Sequence, residues 1–205
     1  MKKNILWLIA TLLLTSNVQA QNLEQQLLNK NKQNKTYVAQ FVETKSMPKL
    51  KKETKKEGTL YFRAPGELAM RYTNPDGDYS IILADGKFIT RRGQKKTDIP
   101  MNPNPPSTFY TLRNTLLLSM QGDVAGVAKE NEANFTIKKE GKNIVCRIEK
   151  NKPAKGGVNT LDLIYDEQTG GLLLLRLNEA NGNYTEYAAS NGKMNADIPE
   201  KTWEL

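Results

Sequence analysis

The 205-residue sequence contains no histidine and a single cysteine, Cys146. These two absences exclude a Ser-His-Asp or Cys-His catalytic system, a histidine-ligated metal and an internal disulfide. Aromatic residues are only 7% of the chain, and outside the first twenty residues Trp203 and scattered tyrosines are all there is to build an aromatic sugar- or peptide-binding platform. No internal repeat and no long polar tract occurs, so the 38% hydrophobic content, 14 glycines and 9 prolines describe an ordinary globular chain of one domain, or two at most. Cys146 alternates with Ile144 and Ile148 in a strand-like stretch and reads as a small buried hydrophobe.

Residues 1–20 have the form of a cleavable export signal. Lys2 and Lys3 start it, Ile5 to Leu14 is its apolar run, and Val18-Gln19-Ala20 supplies small residues where a signal peptidase reads. The run is about half the roughly 20 residues that a membrane-spanning helix needs. The mature chain is expected to begin at Gln21 as one domain over residues 21–205. No cysteine lies near the cleavage point, so the mature N-terminus is not expected to be lipidated, and a soluble, exported protein follows. Removal of Lys2 and Lys3 leaves 28 basic against 22 acidic residues, a net charge of +6. Lys45, Lys49, Lys51, Lys52, Lys55 and Lys56 form a local cluster. Such a cluster suits anionic headgroups, an acidic partner or a solvated hairpin connection, and Glu53, Glu57 and Met47-Pro48 among the lysines favour the last. Nucleic acid is disfavoured by the export signal and by the lack of aromatics among the lysines.

Leu23, Leu27 and Leu28 in a Gln, Asn and Lys background predict a surface helix over residues 21–35. The period then changes to two. Strands are predicted over 36–45, 57–64, 68–73, 81–84, 87–90 and 95–99, with turns at Pro65-Gly66, Asn74 to Gly77 and Asp85-Gly86. Four prolines between Pro100 and Pro106 mark an extended crossover. After Ser107 as N-cap, Phe109, Leu112, Leu116 and Met120 recur at helical spacing up to Gln121-Gly122. Strand patterning resumes over 134–139, 144–150, 160–166, 172–177 and 184–190. The resulting fold class is mainly β with a helical lid (α+β): an open antiparallel barrel of about eleven strands whose concave apolar face is covered by helices. Leu172 to Leu175 are apolar on both strand faces, which fits either a fully buried strand or one with a ligand surface. Asp76 and Asp78 bracket a turn, while Asp162 and Asp166 alternate with hydrophobes and are expected to face solvent. Neither pair has a base beside it in sequence, and no enzymatic activity is expected.

The stretch Glu57-Gly58-Thr59-Leu60-Tyr61-Phe62-Arg63-Ala64-Pro65-Gly66-Glu67-Leu68-Ala69-Met70-Arg71-Tyr72, then Pro75 and Ile82-Leu83-Ala84-Asp85-Gly86-Lys87, resembles the core of the LolA-type outer-membrane lipoprotein carriers. Leu112 to Gly122 resembles the form of that family found in Bacteroides-like bacteria, and Phe41 to Thr44 and Asp166 to Gly170 extend the similarity over nearly the whole mature chain. The resemblance implies an eleven-stranded open barrel with a helical lid. It also implies a monomeric periplasmic protein of a Gram-negative cell that needs no cofactor. Such a carrier takes lipoprotein acyl chains from an inner-membrane exporter to an outer-membrane acceptor. The sister receptor of the same fold is itself a lipoprotein, and the missing N-terminal cysteine favours the soluble carrier. The alternative is a lipid- or lipoprotein-sensing or lipid-transfer protein of the same fold. Leu60, Phe62, Leu68, Met70 and Tyr72 are expected on the sheet side of the acyl cavity and Phe109, Leu112, Leu116 and Met120 on the lid side, with Met70 standing at a Trp-like position. In studied carriers a basic residue directly before the proline latches the lid. Here that position is Ala64, and the nearest basic residue, Arg63, is the latch candidate, although strand alternation points it away from Leu60 and Phe62.

Overall fold

Eleven strands form one antiparallel sheet in the order β6-β5-β4-β3-β2-β1-β11-β10-β9-β8-β7. The computed structural model describes residues 20–104 and 107–205. The export signal expected over residues 1–20 lies outside these residues except for Ala20, as do Pro105 and Pro106. The chain is helical over residues 20–33 (α1). It then meanders through β1 (Thr36–Met47), β2 (Lys52–Arg63), β3 (Glu67–Asn74), β4 (Asp76–Ile82), β5 (Phe88–Arg92) and β6 (Lys95–Ile99). Two helices, α2 (Thr108–Met120) and α3 (Val124–Glu130), carry it to the far edge. There β7 (Ala133–Glu140), β8 (Asn143–Lys150), β9 (Val158–Asp166), β10 (Leu172–Glu179) and β11 (Tyr184–Met194) return until β11 pairs with β1. The edges β6 and β7 do not meet, so the sheet is open, as the sequence reading expected. Among the described residues no helix is long and apolar enough to cross a membrane.

Local chemistry explains the helix boundaries. Ser107 caps α2, its Oγ accepting from the Tyr110 amide at 3.1 Å, and Gly122 ends the helix at φ +67°. A Cβ on Gly122 would also lie 2.9 Å from Leu27 Cγ, so glycine lets α1 pack against the end of α2. Asp123 caps α3 through Gly126, a helix that the periodicity did not reveal.

The two sheet faces bury different things. On the inner face, Phe41, Leu60, Phe62, Leu68, Met70 and Ile82 from the first half and Ile144, Cys146, Leu163 and Tyr165 from the second pack against α1, α2 and α3. Cys146 is fully buried, as its alternation with isoleucines implies, and burial pushes its thiol up to about 12. On the outer face Ala69, Tyr79, Ile81 and Ile89 form a smaller cluster, closed by Trp203 from the C-terminal 3-10 turn Glu200–Trp203.

Two carboxylate expectations need correction. Asp78 is a strand residue only 4% exposed, accepting from the Gly93 amide at 2.6 Å, because β4 begins at Asp76, five residues earlier than the hydrophobic pattern suggested. Asp162 is half-buried between Arg147 and Asn178.

Candidate functional site

The antiparallel register puts the β1–β2 tip, the β3–β4, β5–β6 and β10–β11 turns and the β8–β9 loop at one end of the sheet, here the hairpin end. The β2–β3, β4–β5 and β9–β10 turns lie at the other. α2 crosses the inner face between them. Its C-terminal half is anchored, with Thr115, Leu116, Ser119 and Met120 buried, whereas Thr108 to Asn114 are exposed or half-buried.

Beneath the N-terminal half of α2 lies a cavity of about 450 Å³, within the range of small-molecule sites. Its floor is Val158, Leu161 and Leu177, and its roof is Leu112 with Thr108, Thr111 and Thr115. Asn131, Lys150, Gly156 and Gly157 complete the wall, so the cavity reaches solvent at the hairpin end past the β8–β9 loop. Asn131 Nδ2 donates to Thr115 Oγ1 at 2.8 Å and to the Val127 carbonyl at 2.9 Å, which ties α3 to the roof.

Of the residues singled out in the sequence, Leu112 lines this cavity. Leu60, Phe62, Leu68 and Met70 are buried against the lid residues Leu116 and Met120, in the core rather than in open space. Phe109 is 48% exposed. Tyr72 is buried, yet its hydroxyl donates to Glu43 Oε2 at 2.5 Å. Burial first, and the Glu43 charge second, raise its pKa well above the ordinary tyrosine value. Glu43 is itself only 3% exposed and pairs with Lys45 at 2.9 Å, and Arg92 lies 4.9 Å over the Tyr72 ring while donating to Ser80 Oγ. The inner face is thus apolar under the lid and charged toward the hairpin end. Sequence reasoning missed Glu43 and Arg92, because a charged residue in or beside a strand reads as solvent-facing, and it read Asp78 as part of a turn. The threonines at 108, 111 and 115, which share one helical face, were the legible sign of the cavity roof.

The latch expectation for Arg63 is corrected. Arg63 is on the outer face, bonded to Glu67 at 2.5 Å and Glu200 at 2.7 Å and stacked 4.8 Å over Trp203, as strand alternation required. Hydrogen bonds to Glu67 and Glu200 raise its pKa further. Beside it, Arg71 donates to the carbonyls of Lys201, Thr202 and Glu204, so the two arginines clasp the C-terminal segment. The lid is held instead through backbone carbonyls. Arg113 Nη1 of α2 donates to Gly86 O in the β4–β5 turn at 2.9 Å, and Gln121 Nε2 donates to Pro65 O at 2.8 Å. Tyr165 OH of β9 donates to Ser119 O at 3.0 Å. Tyr165 is fully buried, and desolvation holds its pKa well above the usual value.

Several solved structures are similar to this chain at low identity, each with a TM-score below 0.5. A DUF1329 family protein from Desulfovibrio piger gives a TM-score of 0.47 at 9% identity, covering 90% of this chain and 97% of the other. A LolA superfamily protein from Nitrosomonas europaea gives 0.44 at 10% identity, covering 91% and 97%. A chain of the Pseudomonas aeruginosa MucA/MucB complex gives 0.43 at 12% identity, covering 91% of this chain and 61% of the other. No curated protein matches the chain. The family description that does match is that of the outer membrane lipoprotein carrier protein LolA, over residues 32–205, and the chain belongs to that family.

Proposed function

We propose that this protein is a periplasmic carrier that holds lipoprotein acyl chains beneath α2 and takes them from the inner to the outer membrane, with residues 21–205 acting as one carrier domain and no enzymatic step. The observation that carries the reading is the cavity under the N-terminal half of α2, roofed by Leu112 and floored by Val158, Leu161 and Leu177. Family membership and the absence of histidine-based chemistry support it.

Burying acyl methylenes is worth about 0.8 kcal/mol each, so a palmitoyl-length chain carries on the order of 10 kcal/mol of aversion to water. A carrier must offset most of that and still release its cargo. The lid provides the opposing term. The Arg113–Gly86, Gln121–Pro65 and Tyr165–Ser119 bonds each contribute about 1 kcal/mol net to keeping α2 down. Acyl chains that lift α2 also bare Leu60, Phe62 and Met70, now covered by Leu116 and Met120, which enlarges the apolar surface at the expense of the closed packing.

Native mass spectrometry with lipid extraction, on protein from a periplasmic fraction of its own host, tests the reading. Copurified acylated lipoprotein is expected. Free phospholipid alone supports lipid transfer or sensing instead, and a protein that refuses lipid overturns the proposal. Phe62 and Leu116 are too deeply packed for clean loss-of-binding variants. Leu112→Glu, on the half-buried roof, is expected to abolish uptake while leaving the far-ultraviolet circular dichroism unchanged.

A further inference from the structure

The β1–β2 hairpin extends beyond the sheet that it belongs to. β2 has its last β3 partner at Glu57, and β1 has its last β11 partner at Ser46. Lys52 to Lys56 therefore run about 16 Å past β3 at the usual strand rise, backed by β1, which β11 flanks as far as Ser46, and Met47 to Lys51 form a hairpin tip beyond both neighbours, here the finger. Residues 48–55 are all exposed, and the 3-10 turn Pro48–Leu50 at the tip buries nothing. Leu50 is 72% exposed, the most exposed large hydrophobic side chain among the described residues. Three lysines at the base and along the arms are paired: Lys45 with Glu43, Lys55 with Glu53 and Lys56 with Asp78. The three that surround Leu50, namely Lys49, Lys51 and Lys52, make no ion pair among the described residues. The tip is thus the solvated hairpin connection that its sequence suggested, with uncompensated lysines around an exposed leucine.

We propose that this finger docks the protein on an anionic lipid surface, Leu50 entering the interface and Lys49, Lys51 and Lys52 lying among the headgroups. A leucine lifted on uncompensated cations matches a layer that is negatively charged outside and apolar within. An acidic protein partner would satisfy the lysines, but the narrow convex tip offers it little area to bury, and Leu50 is best accommodated in acyl chains. The finger projects from the hairpin end, the end at which the cavity opens past Lys150 and Gly156. Docking by Leu50 thus brings the cavity mouth toward the headgroup layer. One leucine and three lysines make a weak, salt-sensitive attachment that a protein exchanging between surfaces can leave. The proposal does not depend on what the cavity holds.

Vesicle flotation of the protein with residues 1–20 removed tests it. Flotation is expected with phosphatidylglycerol-containing vesicles, not with phosphatidylcholine alone, and is lost near 1 M NaCl, where the Debye length is about 3 Å. Combined Lys49→Glu, Lys51→Glu and Lys52→Glu substitution should weaken partitioning roughly a hundredfold, since each lysine at an anionic surface is worth about fivefold. Leu50→Ser should weaken it with the charge unchanged. In Leu50→Trp, emission should shift to the blue and be quenched by brominated lipid, while Trp203, buried on the outer face, is spared. Equal flotation of the triple variant, an unquenched Trp at position 50, or binding to an acidic protein without binding to vesicles would each overturn the proposal.

Discussion

Gly58 has no room for a methyl group. A Cβ built there falls 2.1 Å from the Arg71 carbonyl oxygen and 2.8 Å from Tyr72 Cα, both backbone atoms that cannot swing away. The crowding arises where the β2–β3 register shifts between Glu57 and Gly58, and it gives the glycine of Gly58-Thr59-Leu60 a physical reason. Gly58→Ala is therefore expected to lower stability by about 1 to 3 kcal/mol, the usual cost of overpacking, with the melting temperature as the check. Gly66→Ala, where a Cβ meets nothing within 4 Å, is the matched control and should melt close to the parent. At this scale the sequence told where side chains point better than what they meet. Alternation turned Arg63 outward correctly, but the partners Glu200 and Trp203 come from the far end of the chain, and no local pattern announces such a contact. Glu43 and Asp78 were unreadable for the opposite reason. Each is buried because tertiary neighbours supply donors and cations, Tyr72 and Lys45 for one, Gly93 and Lys56 for the other.

α2 is two half-helices in energetic terms. Leu116, Ser119 and Met120 are locked into the inner face, whereas Thr108 to Asn114 sit over the cavity with Arg113 and the Ser107 cap as their main polar anchors. Local opening draws on segments with few buried contacts, so amides of residues 110–114 should exchange with deuterium faster than those of 116–120. Among the described residues, Tyr165→Phe removes the one strand-to-lid side-chain bond in the anchored half. It is expected to cost about 1 kcal/mol and to speed exchange at Ser119 and Met120, while β1 and β2 keep their protection. Elements with strong periodicity were the legible ones, α2 with its cap and the strands carrying alternating hydrophobes among them. α3 escaped because Val124–Glu130 spans only seven residues, too short to display a period. The β2 arm of the β1–β2 hairpin escaped because Lys52–Lys56 carry no apolar alternation, their strand state being imposed by pairing with Glu43–Met47. The cavity was legible only at its roof. Its floor unites Leu161 with Leu177, an adjacency set by the β9–β10 register.

At the scale of the whole molecule, the absence of histidine shapes the pH response. No side chain whose ordinary pKa lies between pH 6 and 8 is present, so stability should be nearly level across that window. The alkaline side differs, because burial pushes both the Cys146 thiol and the Tyr37 hydroxyl up to about 12, from ordinary values of 9.0 and 10.0. Tyr37 OH also donates to the Leu172 carbonyl at 3.0 Å, which the ionised form could not do. In both groups the folded state keeps a proton that the unfolded chain gives up first. Their contribution is therefore complete below the unfolded pKa, falls as pH rises past about 9, and is gone once pH passes the folded value near 12, each unit of separation being worth about 1.4 kcal/mol. The melting temperature is expected to hold steady from pH 6 to 8 and to fall progressively above 9. Cys146→Ala gives the decisive comparison. It creates a small cavity and should lower the melting temperature at pH 7, yet its curve should fall less steeply above pH 9 because one of the proton-holding groups is gone while the buried tyrosines remain. Parallel curves for parent and variant would mean that the thiol ionises as readily in the fold as outside it, and that the apolar inner face around Cys146 admits water.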